Sequence, residues 1–107
     1  MRFVEASVFT KRVVRIADDD TYRRFQAELA TNPGKGQVIQ GAGGLRKARM
    51  AARGKGKRGG ARIVYVYVVV AECVYLLRCY AKNVKTDLTA AEKRELRQIA
   101  AYLKGVQ

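Results

Sequence analysis

The chain has no histidine, which removes the commonest neutral-pH proton shuttle and most zinc sites. Any acid–base chemistry has to use other groups. Cysteine is scarce as well. Cys73 and Cys79 are too few for a disulfide framework, and their spacing matches no zinc or redox pattern. Six positions apart on one strand, they stand roughly 20 Å from each other and read as small buried residues in a reducing cytoplasm. The longest apolar run, Ile63–Ala71, is nine residues, about half of what a membrane helix needs. Met1-Arg2-Phe3 leads to Glu5 rather than into a long apolar stretch, so no membrane span and no secretory signal are expected. Acidic residues are few. Nine Asp and Glu stand against 22 Lys and Arg, for a net charge of +13. A field of that strength concerns partners rather than fold, and polyanions come first.

What is present suits one small globular unit. The 107 residues are 49% hydrophobic and 29% charged, with no internal repeat, so residues 1–107 read as a single domain. Arg2–Ala6 reads as a first strand. Ser7 is placed as an N-cap, and Phe9, Val13 and Ile16 then form the stripe of an amphipathic helix with Lys11, Arg12 and Arg15 outside it. Asp18-Asp19-Asp20 offers a cap and favourable charge for a second helix carrying Tyr22, Phe25 and Leu29. Asn32-Pro33-Gly34 stops it, with Pro33 disfavouring a helical Asn32 and Gly34 permitting a positive φ. Glycines crowd the stretch Gly34–Gly60, in which Leu45–Ala51 is a glycine-free strand. Arg53–Gly60 reads as a hairpin loop. Ala61–Val70, rich in Val, Ile and Tyr, is the clearest strand, and Glu72–Tyr80 its antiparallel neighbour after a tight turn. Thr89-Ala90-Ala91-Glu92 has the capping-box form and opens a last helix with Leu96, Ile99 and Leu103 inward.

Charge is distributed unevenly. From Leu29 to Ala71 there is no acidic residue, and that window holds Lys35, Arg46, Lys47, Arg49, Arg53, Lys55, Lys57, Arg58 and Arg62. Unbroken like charge repels itself, so an anion should compensate, and nucleic acid fits best. There is no C2H2 pattern and no heptad, and neither early helix is basic over its whole outer face, so the DNA major groove has no strong reader here. A sheet carrying Arg, Lys and Tyr suits single-stranded RNA better. Strand parity puts Lys47 and Arg49 on one face, Arg62 at the start of the next strand, and Arg78 with Tyr80 on one face of the strand after. Ribonucleolytic cleavage needs help for the attacking 2′-hydroxyl, cations for the phosphorane and a donor for the leaving oxygen, and no metal is required. Basic sheets that only bind RNA have the same composition.

The residues also carry a resemblance. Asn32-Pro33, then Val38-Ile39-Gln40-Gly41-Ala42-Gly43-Gly44-Leu45-Arg46-Lys47, then Gly54-Lys55-Gly56-Lys57-Arg58-Gly59-Gly60-Ala61-Arg62, then Tyr75-Leu76-Leu77, Tyr80-Ala81-Lys82-Asn83, Asp87-Leu88-Thr89 and Glu92 are similar to the RelE/HigB family of bacterial toxins, in its HigB-like branch. The similarity spans essentially the whole chain. It implies an α+β fold in which two N-terminal helices and a C-terminal helix pack on one face of a twisted, largely antiparallel sheet, and the other face carries the active site. It implies the toxin of a type II toxin–antitoxin module, a metal-independent endoribonuclease without cofactor that cuts mRNA in the ribosomal A site and stops translation. A helix-turn-helix antitoxin is the implied protein partner, with DNA reached only through it. The resemblance puts Lys47 and Arg49 at the paired basic positions of the second sheet strand and Arg62 at the transition-state arginine. Tyr80 and Lys82 fall where relatives vary in their catalytic sets. Lys57 and Arg58 would grip RNA phosphates, as would Arg46, Arg53, Lys55 and Arg78. The alternative is a non-enzymatic basic protein that blocks translation by occupying the ribosome, and no residue is singled out as general base.

Overall fold

A computed structural model describes residues 1–53, 60–85 and 87–105. Along the chain lie β1 (Arg2–Glu5), α1 (Ser7–Ile16), α2 (Asp19–Thr31), β2 (Gln37–Val38), β3 (Arg46–Met50), β4 (Ala61–Val68), a 3₁₀ turn (Val69–Ala71), β5 (Cys73–Ala81) and α3 (Ala90–Gly105). The strands form a five-stranded sheet in the order β1-β5-β4-β3-β2. β1 runs parallel to β5, and the other pairs are antiparallel. Among the described residues no helix is long and apolar enough to cross a membrane.

Local chemistry accounts for most element boundaries. The amide of Ala6 donates to the Leu76 carbonyl at 2.9 Å, which extends the β1–β5 ladder by one residue. Ala6 is therefore the cap residue of α1, without a side-chain bond, and Ser7 is already helical rather than the cap expected from sequence. The Asp18 carboxylate accepts from the Thr21 amide at 2.8 Å, and Asp19 and Asp20 fill the first turn of α2. α2 stops at Thr31, with Asn32 at φ −142° ahead of Pro33. Gly34 is not left-handed, contrary to the sequence expectation. Among the described glycines the positive φ values fall at Gly41, Gly43 and Gly44, in the turn where the Ile39 amide bonds the Leu45 carbonyl and reverses the chain into β3. Thr89 and Glu92 close the expected capping box, with Thr89 N–H donating to Glu92 Oε1 at 2.8 Å and Glu92 N–H to Thr89 Oγ1 at 3.1 Å.

β4 is covered on both faces, which is why its sequence reads as a nearly continuous apolar run. Ile63 and Tyr65 join Phe9, Val13, Phe25, Leu29, Ala48, Met50 and Leu76 beneath α1 and α2. Val64 and Val66 join Ile39, Leu45, Leu77, Leu96 and Ala100 beneath α3. The three helices therefore do not share one face. α1 and α2 cover one side, and α3 lies on the other, beside the site expected there. The apolar stripe of α3 matches the β4 and β5 side chains that α1 and α2 leave bare.

β5 carries one irregularity. Leu76 pairs with Tyr65 but Arg78 pairs with Val64, so Leu77 is an extra residue. This bulge turns Leu77 and Arg78 to the same side and shifts the alternation of every later residue in the strand. Cys73 and Cys79, separated by the bulge, face opposite sides, and both thiols are buried and free.

Candidate functional site

The strand registers assemble the site. Arg49 of β3 pairs with Arg62 of β4, and Arg62 pairs with Tyr80 of β5, so these three form a row across the sheet on the α3 side. Two residues along, Lys47 pairs with Val64 and Val64 with Arg78, while Gln37 of the edge strand β2 pairs with Lys47. An open cleft of about 370 Å³ results, lined by Lys35, Gln37, Lys47, Arg49 and Arg62. Three residues singled out from sequence, Lys47, Arg49 and Arg62, are thus brought together.

One wall of the cleft is held from behind. The Tyr65 hydroxyl is buried, donates to the Pro33 carbonyl at 2.7 Å and accepts from the Gly36 amide at 3.0 Å. Arg46 donates to the Gly34 and Gly36 carbonyls at 3.1 and 2.8 Å. Lys35 pairs with Glu28 of α2 at 2.8 Å and stands 5.8 Å from the centre of the Phe25 ring. Together these bonds fix the segment that delivers Lys35 and Gln37 to the cleft.

Charge in the cleft is positive. No carboxylate lines it among the described residues. Asp87, ahead of α3, reaches Lys47 at 3.4 Å. The Leu88 amide is the main reason that the Asp87 carboxyl sits below the ordinary carboxylate range, with Lys47 and Lys93 adding to it against a small burial penalty. Arg62 is 6% exposed, and its guanidinium donates to the Ala61 carbonyl at 3.3 Å. A cation so placed acts through little solvent and is strong toward an anion entering the cleft.

Tyr80 lies next to Arg62 in the row but is covered. Its hydroxyl is buried and has no hydrogen-bond partner among the described residues. Burial pushes its pKa up to about 12, with the Asp87 charge adding to the rise and Arg62 opposing it. At neutral pH the group is a phenol, hence a proton donor. The Lys85 ammonium stands 5.2 Å from the centre of its ring and also bonds Glu92 at 2.5 Å.

Other expected site residues are engaged elsewhere. Arg46 holds the loop just described. Arg53 donates to the Val14 and Ala17 carbonyls at 3.3 and 3.4 Å and so finishes the open end of α1. Arg78 bonds the Leu77 carbonyl at 2.7 Å and Glu95 of α3 at 3.5 Å. Lys82 is exposed in the turn after β5 and does not line the cleft. Lys55, Lys57 and Arg58 lie outside the described residues. Sequence reasoning missed Gln37 and gave Lys35 no place in the site. The available signal was the short segment between the Asn-Pro-Gly stop and the glycine turn, which has the length of a minimal edge strand. Among the described residues, no group of three or more carboxylate, thiol or imidazole side chains converges as a metal site would.

Comparison with known proteins gives two findings. A family model described as the RelE toxin of RelE/RelB toxin–antitoxin systems matches residues 7–107. The crystal structure of the isolated E. coli RelE toxin is similar over 92% of this chain and 97% of that chain, with a TM-score of 0.57 and 12% sequence identity. At that identity the second likeness is one of fold.

Proposed function

The chain belongs to the RelE family of toxins from toxin–antitoxin systems, and from that premise we propose that it is an endoribonuclease of the HigB-like branch that cuts mRNA in the ribosomal A site. The carrying observation is the buried Arg62 in a cleft with Lys47 and Arg49 and no lining carboxylate among the described residues. A scissile phosphate seated there gains charge as its 2′-hydroxyl attacks, and cations already fixed in a partly dry site stabilise that gain without reorganising. Arg62 is assigned to the non-bridging oxygens, and Lys47 and Arg49 to the phosphate and its neighbour. Tyr80, which pairs with Arg62 along the row, is assigned as proton donor to the leaving oxygen. No metal is assigned a role. A helix-turn-helix antitoxin is the assigned protein partner, operator DNA is reached through it, and the cytoplasm is the site of action.

The absence of a lining carboxylate or imidazole among the described residues favours one second reading, a toxin that holds the ribosome without cutting. Primer extension on a defined mRNA, in a bacterial translation extract with and without ribosomes, separates the two. Arg62→Gln should remain folded and lower cleavage by about 10²- to 10³-fold, the range for removing one transition-state donor. Equal cleavage by wild type and variant removes Arg62 from the mechanism. Intact message under stalled ribosomes establishes the occupancy reading.

A further inference from the structure

Three cations outside the cleft have no role in the function proposed above. Lys93, Arg94 and Arg97 lie on the first half of α3 and, with Ala90 and Gly41, line an open depression of about 220 Å³. Arg97 is oriented by its bond to the Gly41 carbonyl at 3.2 Å. Gly41 has φ +68°, and no atom lies within 4 Å of where its Cβ would stand, so the rim there is open. Among the described residues neither Lys93 nor Arg94 makes an ion pair, whereas Arg78, Lys35 and Lys85 each do.

The depression shares no lining residue with the cleft, but Asp87 links the two. Asp87 bonds Lys47 at 3.4 Å, and its carboxyl also feels the Lys93 charge. Lys47 and Lys93 thus flank one carboxylate, the first belonging to the cleft and the second to the depression. We propose that Lys93, Arg94 and Arg97 form a second phosphate-binding site, which holds an RNA strand where it leaves the cleft. This rests on the reading of the cleft as an RNA site. The ligand chemistry is that of a backbone phosphate. RNA carries one charge per nucleotide, so a strand seated on Lys47 and Arg49 brings further phosphates along the same track. The positive end of α3 adds to the attraction.

The test uses Lys93→Gln with Arg94→Gln, which keeps the side-chain stems on exposed or half-exposed helix positions and leaves Arg97 on Gly41. Binding of a labelled, 2′-O-methylated single-stranded RNA is measured by fluorescence anisotropy over a salt series. The control is Lys11→Gln with Arg12→Gln on α1, which removes the same charge from the opposite side of the sheet. The double α3 variant should bind several-fold more weakly, and its slope of log K against log salt should fall by about 1.4, or about 0.7 per lost phosphate contact. The control should keep the wild-type slope. An unchanged slope in the α3 variant overturns the proposal, as does an equal fall in the control. Loss of binding to poly-glutamate with RNA binding intact also overturns it, in favour of an acidic protein segment. A Lys47→Gln, Arg49→Gln pair is run alongside. If that pair alone leaves RNA binding untouched, the cleft reading fails while the α3 site stands, so the two failures are distinguishable.

Discussion

Tyr65→Phe removes one oxygen from the middle of the molecule, far from any substrate, and should damage both stability and cleavage. The hydroxyl bonds two backbone groups, the Pro33 carbonyl at 2.7 Å and the Gly36 amide at 3.0 Å. Gly36 is buried, so its N–H is left without water when the oxygen goes, while the half-exposed Pro33 carbonyl recovers some solvation. An orphaned buried donor costs about 1–3 kcal/mol and a lost net bond about 1 kcal/mol, so a loss of about 2 kcal/mol is expected. For a chain of this size that is roughly a 10 °C fall in Tm. Urea unfolding with an unchanged m-value measures it, and hydrogen exchange at Gly36 localises it. The same wall delivers Lys35 and Gln37 to the cleft, so cleavage should fall although Tyr65 touches no RNA. Gly36→Ala attacks the contact from the other side. Its Cβ would stand 2.8 Å from the Tyr65 hydroxyl and 3.0 Å from the Lys47 carbonyl. The two changes should cost less together than their sum, because removing the oxygen relieves part of the clash. A loss under about 0.5 kcal/mol for Tyr65→Phe, with Gly36 exchange unaltered, would refute the assignment of the hydroxyl as the fastener of that wall.

Three further outcomes follow from the geometry. Thr89→Ala removes the cap of α3 and should cost about 1 kcal/mol in urea unfolding, with the loss of exchange protection confined to the first turn of that helix. The Glu92 and Asp87 carboxyls sit below the ordinary carboxylate range, Glu92 through Lys85 and Thr89, and Asp87 through the Leu88 amide and Lys47. Their stabilisation is therefore fully present above that range and is lost as pH falls through it toward the lower folded values, so Glu92→Gln should flatten the acid arm of a stability–pH profile. Cys73 and Cys79 are buried, and burial raises the Cys79 thiol to about 12. An aromatic disulfide reagent should leave both unlabelled in the native protein and label both in denaturant, and rapid native labelling would contradict the packing of β5.

Much of the fold was legible in local pattern. The stripes of α1, α2 and α3, the capping box and the β4–β5 pair depend on residues close in sequence, and so do the parities that join Lys47, Arg49 and Arg62. β2 was not legible because two residues carry no alternation. The face chosen by α3 was not legible either, since an apolar stripe shows that a helix is buried but not against which side of a sheet. The cations Arg46, Arg53 and Arg78 were assigned to RNA because each belongs to the basic excess. Apart from the Leu77 carbonyl beside Arg78, their partners are carbonyls and a carboxylate 10 to 39 residues away in sequence, which composition does not reveal. Lys93 and Arg94 were passed over for the converse reason. They sit among glutamates in sequence, and only the fold shows that those glutamates do not neutralise them.

The extra residue at Leu77 sets which partner every later residue of β5 meets. Were the strand to pair without the bulge and keep Leu77 in the ladder, Leu77 would fall opposite Val64, Arg78 opposite Ile63 and Tyr80 opposite Ala61, which would drive a guanidinium into the apolar layer under α1 and take the phenol away from Arg62. A bulge placed later in β5 would restore the pairing of the residues beyond it but leave Arg78 misplaced. The bulge therefore behaves like a frameshift fixed in the protein backbone. Deletion of Leu77 itself would leave Arg78 opposite Val64 and Tyr80 opposite Arg62, but a one-residue slip of the pairing beyond Leu76 exchanges the buried and the reactive side of the strand in one step.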